Sequence, residues 1–93
     1  MDKVALFNEL VKVVKPAFAE AVTIETLDIA IVDTGLDSLD SLMFGIYMSD
    51  IYGVPEETAK GFQFKTVQEM FDLFEQHATK QPTSVNEALE ACQ

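Results

Sequence analysis

The chain has 93 residues and a formal net charge of -10, with sixteen acids against six lysines and no arginine. A chain this short buries roughly 60–65% of its extended surface, which supports one modest core and no second, cofactor-binding fold. The charge argues against nucleic acid and against an anionic membrane surface, because both need clustered Lys and Arg. It favours a basic protein surface as partner, most strongly at low salt. All the lysines lie outside 16–59, so that stretch is purely acidic. Nearly half of the residues are apolar, which speaks against disorder throughout. The one cysteine, Cys92, cannot form an intramolecular disulfide and suits a reducing cytoplasm. The start, Met1-Asp2-Lys3-Val4, lacks a signal peptide's apolar run, and no apolar run is long enough for a membrane span. The expectation is a small cytoplasmic monomer.

Val4, Leu6, Phe7, Leu10, Val11, Val13 and Val14 repeat at helical spacing and predict a first helix over 3–15. Pro16 disfavours helix at Lys15 and sets a boundary there. Over 16–36 no single period fits Phe18, Val22, Ile24, Leu27, Ile29, Ile31 and Val32. The preferred reading is a long loop pinned to the core by these side chains, with a helical turn over 17–22. Alternation at Leu27, Ile29 and Ile31 leaves a strand open as the other reading. Asp33-Thr34-Gly35 reads as a turn.

A second helix is predicted over 38–52, capped by Asp37 or Ser38, with Asp40 in its first turn and Gly53 and Pro55 ending it. Pro55-Glu56-Glu57 opens a short third helix that Gly61 closes. Thr66 caps a fourth, with Val67, Met70, Phe71 and Phe74 inward and Glu69, Asp72 and Glu75 in water. Residues 1–78 form the predicted domain. Residues 79–93 read as a tail or a short extra helix capped at Ser84-x-x-Glu87.

Catalytic readings find no support. The only histidine, His77, has no nucleophile in view, and one His with one Cys makes no zinc site. The acids from Asp33 onward do not form an EF-hand, since the twelfth position is Phe44 rather than glutamate. No glycine-rich phosphate loop is present. The chain is therefore read as no enzyme, with neither catalytic nor metal-binding residues.

What remains is Gly35-Leu36-Asp37-Ser38-Leu39 immediately before an apolar-periodic helix. This sequence sets a serine hydroxyl at a helix N-terminus, where free N–H groups and the positive dipole end favour a phosphate. Taken alone, the tripeptide is also what a plain N-cap looks like.

The run Asp33-Thr34-Gly35-Leu36-Asp37-Ser38-Leu39-Asp40-Ser41-Leu42 resembles the phosphopantetheine attachment motif of acyl carrier proteins. Tyr52-Gly53-Val54-Pro55-Glu56-Glu57 looks like that family's passage from helix two to helix three, and Lys65-Thr66-Val67-Gln68-Glu69 like its entry into the last helix. The resemblance covers residues 3–78 in order. It implies an all-α four-helix bundle with a long first loop and a short third helix. It also implies 4'-phosphopantetheine from coenzyme A on Ser38, flanked by Asp37 and Leu39, delivered by a phosphopantetheinyl transferase. Ser41 repeats the Asp-Ser-Leu tripeptide, but Gly35 stands in register with Ser38 and not with Ser41.

Three departures from the fatty-acid carriers stand out: a second helix poor in glutamate, a short 53–55 connection and the tail after 78. They point to a specialised polyketide, aryl polyene, unusual lipid or aminoacyl pathway. Its ketosynthase, acyltransferase or ligase would meet the carrier through basic or apolar docking surfaces. On the second helix Leu39, Met43 and Ile46 share a face with Asp50 further on, and Asp40 adds charge. These are the candidate partner contacts, and Phe44, Met48, Ile51 and Tyr52 form the candidate core face. If the two faces are exchanged, Met43 is core. Gly45 either allows close helix packing or makes room for cargo. The competing reading of the whole chain is an acidic helical interaction module with no prosthetic group.

Overall fold

The computed structural model describes residues 1–14 and 23–92. Its helices are α1 (Lys3–Val14), α2 (Ser38–Tyr52), α3 (Glu56–Ala59), α4 (Val67–His77) and α5 (Val85–Ala91), with one turn of 3-10 helix at Ile31–Asp33. Among the described residues the only β pairing is an isolated bridge between Ala30 and Thr66. The architecture is all-α, with a fifth helix beyond the four expected. The Lys15 boundary, Phe18, Val22 and the turn over 17–22 lie outside the described residues.

Helix α2 is the hub, in contact with α1, α3, α4 and α5. Its Phe44, Met48, Ile51 and Tyr52 are buried, as the core-face reading requires. They meet Leu6, Phe7, Leu10 and Val11 of α1 and Val67, Met70, Phe71 and Phe74 of α4 in one cluster. The rings of Phe7 and Phe44 meet tilted, 4.8 Å between centroids. Two residues of the apolar pattern leave the core: Val13 is 46% exposed and Val32 is 86% exposed. Burial is one-way, since a small surface cannot be covered by polar groups alone.

The first loop serves both readings of its pattern. Leu27, Ile29 and Ile31 pack against the core from one side of an extended segment. Its backbone pairs with the start of α4: Ile31 N donates to the Lys65 carbonyl, Val67 N to Ile29 and Gln68 N to Leu27. A single bridge results because the partner strand turns into a helix at once. Asn8 of α1 holds the loop from the other side, donating to the Ile24 carbonyl and accepting from its N–H at 3.0 and 2.9 Å.

Beyond α4 the chain folds back rather than fraying. Ser84 caps α5 by accepting from Glu87 N, and the Glu87 carboxylate reaches back to Thr83. Those hydrogen bonds hold the Glu87 carboxyl below its ordinary range. Ala88 is fully buried, and α5 lies against both α1 and α2. The return is anchored at the end of α2, where Thr79 N and Lys80 N donate to the Tyr52 carbonyl and Thr79 Oγ1 donates to that of Gly53 at 2.6 Å. Tyr52 itself is buried, and its hydroxyl meets no hydrogen-bond partner among the described residues. Burial, reinforced by the Glu75 charge, pushes its pKa up to about 12.

Gly53 has φ +64°, and a Cβ there would collide with Thr79 Oγ1. Both the left-handed backbone and the Thr79 anchor therefore require glycine. Gly53→Ala should cost about 1–3 kcal/mol, read as a shifted midpoint in urea unfolding.

Candidate functional site

The start of α2 is built by three successive local devices. Thr34 Oγ1 donates to the Ile31 carbonyl at 2.6 Å and closes the 3-10 turn. Gly35 at φ 88° then reverses the chain. Asp37 takes extended geometry and caps the helix, its carboxylate accepting from Asp40 N at 2.8 Å. The Asp40 carboxylate in turn accepts from Asp37 N at 3.3 Å, completing a capping box.

Of the two cap candidates the cap is thus Asp37, and Ser38 is the first residue of the helix. The Ser38 side chain is exposed and has no partner among the described residues. The N–H groups of Ser38 and Leu39 are also unpaired there. At α4 the same two positions, Val67 and Gln68, are both taken by loop carbonyls. The two helix starts therefore differ in kind: one is closed by the fold, and the other keeps a hydroxyl and two donors facing water. Ser41 lies one turn inside α2, half-buried, with its N–H on the Asp37 carbonyl.

Leu39 is 66% exposed, Leu42 54% and Ile46 40%. Met43 is half-buried, and Asp50 is exposed at the far end of the same helix. An apolar stripe does run along α2 outside the core. Its second member is Leu42 more than Met43, a residue the sequence reading left inside the motif although i, i+3 spacing from Leu39 marks it. Asp33, Asp37, Glu56 and Glu57 are exposed around this region, and Asp40 is half-buried.

Behind the stripe lies a cavity of about 300 Å³. Its walls are Ser41, Leu42, Gly45, Ile46 and Ser49 of α2, Glu56, Ala59 and Lys60 at α3, Phe62 and Phe64 of the following segment, and Phe74 of α4. A Cβ on Gly45 would meet nothing within 4 Å outside its own helical turn, so close helix packing does not explain this glycine. It opens onto the cavity. Ser49 is buried and donates to the Gly45 carbonyl at 3.0 Å, so its proton stays within the helix.

Among the described residues no group of His, Cys, Asp and Glu is arranged to hold a metal, and no helix is long and apolar enough to cross a membrane. His77 lies against the Phe62 ring at 5.0 Å. Cys92 is half-buried, its thiol 3.6 Å from the Tyr47 and Ala88 carbonyls, and burial pushes its pKa up to about 11. Compared with known proteins, the chain matches no family model, no curated protein and no solved structure.

The division of labour between Asp37 and Ser38 is open to measurement. Asp37→Ala should cost about 1 kcal/mol, the usual worth of an N-cap. Ser38→Ala should change stability by less than about 0.5 kcal/mol. Paired urea unfolding curves read both values, and a larger loss for the serine variant would assign the cap to Ser38.

Proposed function

We propose that this chain is an acyl carrier: a non-catalytic bundle that holds acyl intermediates as thioesters on a 4'-phosphopantetheine arm at Ser38. The observation that carries this reading is the cap at Asp37. It takes over the task that would otherwise occupy the serine, and so leaves a free, exposed hydroxyl at the head of α2.

The local groups fit such an arm. In the loading step Ser38 Oγ attacks the pyrophosphate of coenzyme A, a phosphodiester forms and the bisphosphorylated adenosine leaves; the serine proton passes to the transferase. The unpaired N–H groups of Ser38 and Leu39 would hold the phosphodiester, with the positive end of the helix dipole behind them. Asp37 and Asp40 oppose it; water and salt screen the exposed Asp37 more fully than the half-buried Asp40. When bound, the arm supplies the thiol, and partner enzymes perform every bond-making step.

The rest of α2 serves recognition and storage. Leu39, Leu42, Met43 and Ile46, framed by Asp40 and Asp50, form the docking stripe for a ketosynthase, acyltransferase or ligase with apolar or basic faces. The cavity at Gly45 receives the acyl end of the cargo. The scarcity of acids on α2 and the docked α5 favour a specialised polyketide, aryl polyene or unusual lipid pathway over bulk fatty-acid synthesis.

The exposed stripe also favours a second reading, an acidic interaction module without prosthetic group. Intact-mass measurement after incubation with coenzyme A and a phosphopantetheinyl transferase separates the two. The carrier reading expects the native chain and Ser41→Ala each to gain one phosphopantetheine and Ser38→Ala to gain none. No gain by the native chain would leave the interaction module standing.

A further inference from the structure

We propose that the cavity beside α2 selects a short planar acyl group, aromatic or conjugated, over a flexible alkyl chain of similar carbon count. The proposal rests on the carrier reading for the cavity's use, but the selectivity belongs to the cavity itself.

Three features lead there. The first is size: about 300 Å³ stands at the lower end of small-molecule sites, too small to enclose a long chain. The second is the aromatic wall. Phe62 and Phe74 meet edge to face at 5.1 Å and 84°, and Phe64 stands half-buried beside them. A planar π-system entering there gains offset or edge contacts that an alkyl chain cannot make. The third is the α2 wall, where Gly45 presents bare backbone rather than a side chain. The Ser49 hydroxyl proton is already committed to the Gly45 carbonyl, so the buried end offers no donor to a hydroxylated chain. The charged lining groups, Glu56 and Lys60, are both exposed and so belong to the mouth. A planar group also has few torsions to freeze on entry, whereas each ordered rotor of an alkyl chain costs entropy.

The test uses the unmodified full chain, so it does not depend on attachment of an arm. Cinnamoyl and octanoyl thioesters of N-acetylcysteamine are titrated separately, and the amide resonance of Ile46, which also lines the cavity, is followed by NMR. The cinnamoyl probe should reach half-saturation at a concentration about two- to tenfold lower than the octanoyl probe. Gly45→Leu should abolish the response to both probes. Phe64→Leu, which keeps an apolar wall and leaves the Phe62–Phe74 pair in place, should narrow the gap between the two half-saturation points. Equal or tighter binding of octanoyl, or a preference that survives Phe64→Leu unchanged, would overturn the proposal. Failure here leaves phosphopantetheine attachment at Ser38 untouched, because intact mass reads that independently.

Discussion

Everything in this small bundle leans on α2. In a chain of 93 residues one helix has to contact four others, and it can do so only by being apolar on nearly every side. Phe44, Met48, Ile51 and Tyr52 turn to the core, while Leu39, Leu42 and Ile46 are left on the surface. Gly45 sits between these faces and leaves a cavity instead of a contact. Charge is confined to the ends, Asp37 and Asp40 at the start and Asp50 near the finish. Core, exposed stripe and cavity are three sectors of a single helix.

The same economy governs the helix ends. At α4 the loop carbonyls of Leu27 and Ile29 take the first N–H groups, and Thr66 takes the next. That closes the end and joins the first loop to the core. At α2 two aspartates cap one another's backbone and leave Ser38 unengaged. The contrast settles that Asp37 and not Ser38 is the cap, which the sequence context alone leaves open. An N-cap serine and a serine next to an aspartate cap read alike in the sequence, and only the hydrogen-bond partners separate them.

Much of the fold was legible because the helices carry strong local signals. Pro55 before α3, Thr66 before α4 and Gly53 after α2 mark their boundaries within a residue or so. The core face of α2 followed from spacing alone. What escaped depends on distant contacts. The docking of α5 rests on buried Ala88 with Val85, Leu89 and Cys92 packed beside it, and on Thr79 reaching the Gly53 carbonyl across 26 positions of sequence. The tie between Asn8 and Ile24 is equally non-local. Leu42 reads in the sequence as part of the motif. Val13 and Val32 fit an inward pattern by hydrophobicity, which says what can be buried and not what is. For Gly45 the sequence leaves two explanations, and the empty space where a Cβ would stand removes close helix packing.

The central claim is that cargo rides on this chain as a thioester. The most direct measurement loads the phosphopantetheinylated protein with a radiolabelled acyl group and then treats the denatured protein with neutral hydroxylamine, which cleaves thioesters and spares amides. Complete release of protein-bound label, with none bound to Ser38→Ala in the first place, is the predicted result. Label that resists hydroxylamine, or that loads equally onto Ser38→Ala, would contradict it.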